Sequence, residues 1–140
     1  MADKDATKLL ASVPLFSGCT KKELQTIAAA AKEVQHGEGD VIAREGDQGL
    51  GFFLILDGTA KISVGGRTRR RLGAGDYFGE IALLDEGPRS ATVTAETPMR
   101  LLGLTAWSFR RLVSANPSIA PKLLKVMGER LRDSGRDPRH

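Results

Sequence analysis

The sequence predicts a mainly β protein: a small antiparallel barrel, roll or sandwich of seven or eight short strands, with helices at both ends. Three observations support this fold class. Twelve of the 16 glycines lie between Gly37 and Gly87, where they separate short apolar segments. In TAKISV (59–64) apolar and polar residues alternate, as in a strand that is buried on one face. Apolar residues recur at helical spacing before and after this region.

The first 31 residues are predicted to be helical. Thr20 and Glu23 have the spacing of a capping box at a helix start. Leu24 and Ile27 follow at helical spacing, and Cys19 can pack on Leu24 as a hydrophobic staple. We therefore expect a helix that begins next to Thr20.

The central region is predicted to hold the strands. The segments between its glycines are rich in β-forming residues: DVIAR, FFLIL, TAKISV and RTRRRL, followed by SATVTAE and MRLLGL. No helix-length segment lies between these strands, which disfavours a doubly wound parallel sheet. An antiparallel arrangement is therefore expected.

Two helices are predicted after the last strand. Thr105 can cap AWSFRRLVSA, and Asn116 with Pro117 can start a second helix. Pro121 is expected to distort the first turn of that helix or to delay its start. The apolar residues of the second helix are Ile119, Leu123, Met127 and Leu131. Residues 134–140 are predicted to be a disordered tail.

Length and composition fit one soluble domain in a reducing compartment. A chain of 140 residues can bury about two thirds of its unfolded surface. No apolar run approaches the roughly 20 residues of a membrane span, and the N-terminus lacks the apolar segment of a secretory signal. Cys19 is the only cysteine, so an internal disulfide is impossible and a cytoplasmic location is expected.

The formal net charge is +4, with the excess in RTRRR (67–71) and in the C-terminal tail. Nucleic acid binding is compatible with this excess, but a solvated hairpin and a frayed tail are the favoured interpretation. We expect neither membrane insertion nor a nucleic acid partner for this chain alone. The sequence does not identify an effector domain or protein.

Catalysis has little support. His36 and His140 are the only histidines, which leaves little material for a histidine-based triad or a zinc site. GAGDYFG (73–79) is similar to a dinucleotide loop, but its third glycine falls one place late and no helix follows between parallel strands. We therefore expect no enzyme, no metal site and no cofactor.

The stretch FGEIALLDEGPRSATV (78–93) carries the candidate site. Arg89 offers a planar fork of donors that fits phosphate oxygens. Glu80 can only accept hydrogen bonds when ionised, so it suits a hydroxyl. Gly79 has no Cβ and lets the backbone approach a ligand closely. Together these groups suit a sugar phosphate with a single negative charge and a neighbouring hydroxyl.

Small and apolar residues complete the candidate site. One helical turn in GEIALL (79–84) would offer free N–H groups to an anion. Ala82 and Ser90 are small enough to leave their amides accessible, and Ile81 lies in the same turn. The alternative is that the acid and the guanidinium form an ordinary ion pair, worth about 0 to 1 kcal/mol. On physical grounds alone the two interpretations stay open.

FGEIALL followed by PRSATV resembles the phosphate-binding cassette of cyclic nucleotide-binding domains. Such domains occur in catabolite activator protein, in regulatory subunits of cyclic AMP-dependent kinase and in cyclic nucleotide-gated channels. The resemblance covers about Leu10 to Arg132. Four earlier segments also look like that family: VPLFSG (13–18), GDVIAREGD (39–47), FFLILDGTAKI (52–62) and LGAGDYFGE (72–80).

The resemblance implies one domain over residues 1–133. Its fold would be an eight-stranded antiparallel, jelly-roll-like β-roll over about residues 32–104. N-terminal helices would precede this roll, and two C-terminal helices would follow over about residues 105–133.

The resemblance also implies a role for each cassette residue. Glu80 and the amide of Gly79 would hold the ribose 2′-hydroxyl. Arg89, with the amides of Ala82 and Ser90, would hold the cyclic phosphate.

The base would be held by residues outside the cassette. Ile62 and Leu72 would line the base pocket, and Arg130 on the last helix could stack on the purine or simply face solvent. Domains that favour cyclic GMP often carry threonine after the arginine. Because Ser90 stands there, cyclic AMP is the expected ligand and cyclic GMP the second choice.

The expected function is a non-catalytic cyclic nucleotide sensor whose C-terminal helix closes over the bound base. One alternative is the sensory half of a dimeric DNA-binding regulator that lacks its helix-turn-helix and pairs through the apolar residues of the last helix. A further alternative is a degenerate roll that binds only protein.

Overall fold

The computed structural model describes residues 2–48, 51–84 and 87–135. In these ranges the chain has helices at both ends and eight strands between them, as the sequence predicts. The helices are α1 (Ala2–Ala11), α2 (Lys21–Ala30), α3 (Ala106–Ala115) and α4 (Ile119–Gly135), with 3₁₀ turns at Pro14–Phe16 and Glu80–Leu83. The strands are β1 (Lys32–His36), β2 (Val41–Ala43), β3 (Gly51–Asp57), β4 (Ala60–Val64), β5 (Arg67–Leu72), β6 (Tyr77–Phe78), β7 (Thr92–Ala95) and β8 (Met99–Thr105).

The described residues group into two compact units. Ala30–Arg110 form the β unit, and the residues up to Ala29 and from Arg111 onward form the helical unit. The prediction of a single domain over residues 1–133 stays a prediction. In the described ranges no helix combines the length and the apolar character needed to cross a bilayer.

The β unit contains two four-stranded antiparallel sheets. Their strand orders are β1-β8-β3-β6 and β2-β7-β4-β5. This arrangement confirms the predicted eight-stranded roll, and its first and last strands lie within one residue of the predicted limits 32 and 104. The strand β5, which contains the arginine run, lies at an edge of the second sheet.

The core of the β unit takes one side chain in two from the strands. Ala60 is fully buried in β4 and Ile62 packs partly buried against the same cluster, as the alternation in TAKISV predicts, whereas Val64 is no more buried than its polar neighbour Ser63. Phe53 of β3 stacks on Phe78 of β6 with ring centroids 5.2 Å apart. The other buried residues of the cluster are Ala43, Ile55, Leu72, Val93, Ala95, Met99 and Leu101. This core fixes the strands on which the candidate site is built.

The helix α4 departs from the prediction at both ends. It begins at Ile119, so Pro121 occupies its third position, where the missing N–H has no intrahelical acceptor to lose. It ends at Gly135, two residues beyond the predicted limit of 133, and the predicted disorder of residues 134–140 stays a prediction. Residues 136–140, the rest of that predicted tail, lie outside the described residues.

The predicted apolar stripe of α4 is split by the pitch of the helix. Ile119 and Leu123 are buried, but Leu131 is 71% exposed. A spacing of four residues drifts from the 3.6-residue period, and Val126 takes the place on the buried face that the prediction gave to Met127.

The capping box at the start of α2 is present and does more than cap a helix. The N–H of Thr20 donates to Oε1 of Glu23 at 2.8 Å, and the N–H of Glu23 donates to Oγ1 of Thr20 at 3.2 Å. The same carboxylate accepts from Lys122 Nζ and from Ser118 Oγ on the N-terminal side of α4, both at 2.5 Å. Glu23 thereby joins the starts of two helices within the helical unit.

The hydrogen bonds from Lys122, Ser118 and Thr20 lower the pKa of Glu23 from 4.5 to about 2. A carboxyl whose pKa is lower in the folded state stabilises the fold while it is ionised. This contribution is therefore complete above about pH 4.5 and is lost as the pH falls toward about 2.

We expect Glu23→Gln to lower the free energy of unfolding at pH 7 by roughly 1.5–3 kcal/mol, because it weakens hydrogen bonds to a charged group. The variant should also lose less stability than the parent between pH 4.5 and 2. Urea unfolding across this pH range measures both effects. Glu129→Gln, an exposed change on α4, is the matched control. Equal acid sensitivity in the parent and Glu23→Gln would contradict the assignment.

Candidate functional site

The candidate cassette is the connection between β6 and β7. Gly79 follows β6 directly, and the 3₁₀ turn begins at Glu80. The N–H of Ala82 donates to the carbonyl of Gly79 at 3.0 Å, which closes this turn. Ala82 and Leu83 are buried, whereas Glu80 is partly exposed. The apolar residues therefore anchor the turn and leave its acidic start at the surface.

Gly79 is required by both its conformation and its surroundings. Its φ of +82° lies in the left-handed region, which side chains rarely adopt. A Cβ at this position would lie 2.5 Å from the carbonyl oxygen of Gly51 and would collide with Nη1 of Arg89. The absence of a side chain is therefore what lets the guanidinium lie against the cassette backbone.

The main chain of Arg89 is held by the loop after β2. Its N–H donates to the carbonyl of Asp47 at 2.7 Å, and its carbonyl accepts from the N–H of Gly46 at 2.9 Å. An isolated antiparallel bridge between Gln48 and Pro88 extends this pairing by one position. This short strand-like contact fixes the backbone of Arg89 independently of its side chain.

The side chain of Arg89 is directed by β3. Its Nη2 donates to the carbonyl of Gly51 at 2.8 Å. A guanidinium has five N–H donors, so this bond leaves capacity for an anion. Burial lowers the pKa of Arg89, which remains a cation at any physiological pH because its ordinary value is so high. The structure thus provides a fixed, partly dehydrated cation.

Gly51 is constrained in turn by β8. A Cβ on it would collide with the carbonyl oxygen of Leu104 and lie 3.0 Å from Cα of Thr105. Gly51 pairs with Thr105 in the sheet register. The carbonyl that orients Arg89 therefore belongs to a well-packed strand.

Most of the predicted site residues lie in the connection between β6 and β7. Gly79, Glu80, Ala82 and Arg89 lie in the same connection, and the exposed Ser90 leads from it into β7. The backbone of Ile81 is part of the 3₁₀ turn, but its side chain is outside the described part of the structure.

The residues predicted to contact a base lie on other elements. Leu72 is buried in β5, and Ile62 packs against the same core from β4. Arg130 is a partly exposed residue of α4, in the helical unit. Their predicted roles toward a base stay predictions.

A cavity of about 510 Å³ opens in the β unit beside Arg89. It is bordered by β1, β2, β3, β8 and the first turn of α3. Among the predicted site residues that the structure describes, Arg89 is the one that lines it. The guanidinium thus borders both the cassette and this cavity.

Sequence reasoning missed the groups that hold Arg89. Asp47 and Gly51 act through their backbone carbonyls, so the side-chain type at these positions gives no direct signal. The remaining signal was the glycine-rich composition of the loop between β2 and β3, which indicates close backbone approach.

Comparison with known proteins is consistent with this geometry. The family model of the cyclic nucleotide-binding domain matches residues 33–116. A cyclic nucleotide-gated potassium channel of Rhizobium etli is 39% identical over 123 residues, 88% of this chain and 34% of the channel. The cAMP-dependent protein kinase regulatory subunit of Schizosaccharomyces pombe is 41% identical over 106 residues, 75% of this chain and 26% of the subunit.

Both relatives are longer proteins, so the chain spans about a third or less of their length. Among solved structures, the N-terminal domain of a transcriptional regulator from Streptomyces coelicolor A3(2) superimposes with a TM-score of 0.84. The two are 31% identical, and the match covers 91% of this chain and 92% of that domain.

We expect Gly79→Ala to destabilise the fold by at least about 1–2 kcal/mol, the cost of a left-handed conformation for a residue with a Cβ. Urea unfolding measures this change. Gly128→Ala is the matched control, because a Cβ there meets nothing within 4 Å and the helical backbone accepts it. The control should be neutral or stabilising. A Gly79→Ala protein as stable as the control would contradict the constraint.

Proposed function

The chain belongs to the family of cyclic nucleotide-binding domains, and on this basis we propose that it is a non-catalytic sensor of cyclic AMP, with cyclic GMP as the second choice. The observation that carries this proposal is the fixed guanidinium of Arg89 beside Gly79. A phosphate with one negative charge matches a single clamped cation. Hydrolysis of cyclic AMP by the purified protein would overturn the non-catalytic part of the proposal.

The phosphate would bind to Arg89 and to the amides of Ala82 and Ser90. A planar guanidinium donates to two phosphate oxygens at once, which fixes the orientation of the ligand. The Ala82 N–H already donates to the Gly79 carbonyl, so it must share or exchange its acceptor when phosphate arrives. Ligand binding is therefore expected to rearrange the 3₁₀ turn.

The ribose would bind at the start of the same turn. The carboxylate of Glu80 would accept a hydrogen bond from the 2′-hydroxyl, and the amide of Gly79 would donate to that oxygen. A 2′-deoxy ligand lacks this donor, so it should bind more weakly at an unchanged phosphate contact.

The base would lie over Ile62 and Leu72, on the side of the second sheet that faces the core. We propose that α4 closes over the base and that Arg130 stacks on the purine. A ligand can shift such an equilibrium only by its preference for the closed form. Closure therefore requires contacts between the ligand and α4 that form only in the closed conformation.

The names of two relatives agree with this ligand class: one is a cyclic nucleotide-gated channel, and the other is a regulatory subunit of a cAMP-dependent kinase. Serine rather than threonine after Arg89 favours cyclic AMP, because the serine hydroxyl is less suited to reach a guanine. The proposed sensor is cytoplasmic. It would act on an effector, which is either another domain or another protein.

We expect Arg89→Ala to weaken cyclic AMP binding by roughly ten- to several-hundred-fold. Hydrogen bonds to a charged group contribute about 1.5–3 kcal/mol each, and 1.4 kcal/mol is a tenfold change in affinity. Arg89→Lys keeps the charge but loses the planar fork of donors, so its affinity should lie between those of the parent and of Arg89→Ala. Isothermal titration calorimetry with cyclic AMP, and with 5′-AMP as the comparison ligand, measures these changes.

Arg100→Ala serves as the control for charge, because Arg100 is exposed on β8 and pairs with Glu33 at 3.4 Å. It should bind cyclic AMP like the parent. If Arg89→Ala retained the affinity of the parent, the cassette would not be the ligand site.

A second candidate function is the sensory half of a dimeric DNA-binding regulator. The similarity to the N-terminal domain of a transcriptional regulator favours it, as does the exposure of Leu124 and Leu131 on α4, at 72% and 71%. These residues are seven apart and lie on one face of the helix. Such an apolar face suits a second copy of the chain, although it spans too few heptads to require a coiled coil.

If this second function holds, the chain should dimerise and the double variant Leu124→Glu, Leu131→Glu should be monomeric, because charges cannot be buried unpaired in the contact. Sedimentation velocity with and without cyclic AMP measures the change. Lys125→Glu, a neighbouring exposed charge change, is the control. A monomeric parent in both conditions would remove this candidate.

A further inference from the structure

We propose that the cavity beside Arg89 is a second ligand site, which takes an organic anion with an apolar body, such as a medium-chain carboxylate. This site goes beyond the proposed nucleotide site. Among the described residues that are assigned to the nucleotide, only Arg89 lines the cavity. The other described lining residues come from different elements of the β unit.

The cavity lies between two sheet edges. The strand β1 is outermost in the first sheet, and β2 is outermost in the second. In the described ranges β1 pairs with β8 alone and β2 with β7 alone, so no ladder joins the two edges. Both edge strands line the cavity. The roll is therefore open at this point, and a ligand can enter between its sheets.

Small and apolar side chains keep the cavity wide. Gly103 of β8 has no side chain, and a Cβ there would lie 3.3 Å from the ring of Phe53. Val34, Val41 and Ala43 supply apolar wall. The volume of about 510 Å³ lies within the range of roughly 300–1,000 Å³ that is usual for sites of small organic ligands.

Positive charge surrounds these apolar walls. The charged residues that line the cavity in the described ranges are Lys32, Arg44, Arg89 and Asp47, with a net charge of +2. Lys32 and Arg44 are exposed, and no described residue forms an ion pair or a hydrogen bond with either side chain. Cations without a protein partner beside an apolar wall match a ligand with an anionic head and an apolar body.

Lys32 lies on the inner face of its sheet. It comes two residues before Val34, and residues two apart in a strand share a face. Val34 packs against the core of the roll and pairs with Leu101, which is fully buried there. The stem of a lysine can lie along such a wall while its ammonium stays in water. Lys32 is therefore placed to bind the anionic head.

The cavity is connected to the nucleotide site through Gly51. This residue lines the cavity, and its carbonyl accepts the bond from Nη2 of Arg89 at 2.8 Å. A ligand that shifts this carbonyl changes the direction of the guanidinium. Occupancy of the cavity should therefore alter the affinity for cyclic AMP, and cyclic AMP should alter the affinity for the anion by the same factor. This coupling, unlike the site itself, rests on the proposed function.

The competing explanation is edge protection. Lysines on an edge strand, and charges that point inward from it, prevent a sheet from pairing with other chains. Lys32 has both properties, because β1 is an edge strand. Edge protection requires charge but no ligand. It therefore predicts no affinity for an organic anion that depends on Lys32.

The test is isothermal titration calorimetry with octanoate. Two comparison probes are 1-octanol, which lacks the charge, and acetate, which lacks the apolar body. The parent should bind octanoate at least tenfold more tightly than either. Lys32→Met should weaken octanoate binding about fivefold to 20-fold, because it removes one charged hydrogen bond at a partly exposed position. Lys32→Glu should weaken it further by repulsion.

Arg100→Met is the matched control. Arg100 stands between Met99 and Leu101, which are buried in the core, so its side chain leaves the outer face of the same sheet. It does not line the cavity, and this variant should bind octanoate like the parent. Urea unfolding shows that each variant retains the fold. Equal octanoate affinities in the parent and Lys32→Glu, or equal affinities of the parent for octanoate and octanol, would overturn the site.

Repeating the octanoate titration at rising cyclic AMP concentration separates the two sites. The apparent affinity should approach a limit, as it does for two coupled sites. A fall in direct proportion to cyclic AMP would mean that octanoate occupies the nucleotide site, and would overturn the inference. A constant affinity would remove the coupling through Gly51. If the parent bound no cyclic AMP, the proposed function would fail, and the octanoate titrations would still decide on the cavity.

Discussion

The carbonyl of Gly51 determines what the candidate site can do, because it fixes the direction of the Arg89 guanidinium. Two glycines make this bond possible. A Cβ on Gly79 would collide with the guanidinium, and a Cβ on Gly51 would collide with the backbone of β8. The loop after β2 holds the backbone of the arginine, so its position does not depend on its side chain alone. The cation is therefore placed before any ligand arrives, which reduces the entropy that binding must overcome.

The two compact units are organised by different forces. The β unit depends on one apolar cluster to which all strands except β1 contribute buried side chains. Most of its polar side chains stay at the surface, where charge pairs such as Arg71 with Glu96 contribute little. In the helical unit a nearly buried carboxylate joins α2 to α4 through three kinds of donor. Apolar packing thus stabilises the two sheets, whereas hydrogen bonds to Glu23 fix the starts of α2 and α4.

The sequence predicted the elements well because their signals are local. Alternation in TAKISV, the capping box at Thr20 and the glycine-rich turns each depend on residues close together in the chain. The cassette could be recognised from its residue types, since charge, size and the lack of a Cβ constrain them directly. The anchors of Arg89 could not, because backbone carbonyls belong to every residue. The pairing of Arg70 with Ile62 also required the strand register, because a register shift after Ile62 changes which residues of this hairpin lie opposite each other.

The hydrogen bond from Ala82 to Gly79 has a consequence for how a ligand gains its free energy. The turn already satisfies this amide internally, so an incoming oxygen exchanges one acceptor for another. Such an exchange adds little, just as folding gains little when it replaces bonds to water. A count of contacts in a filled cassette would therefore overstate its affinity. The net free energy of binding must therefore come from the charge interaction with Arg89 and from groups that were hydrogen-bonded only to water. An uncharged ligand of the same shape would lack the first of these contributions.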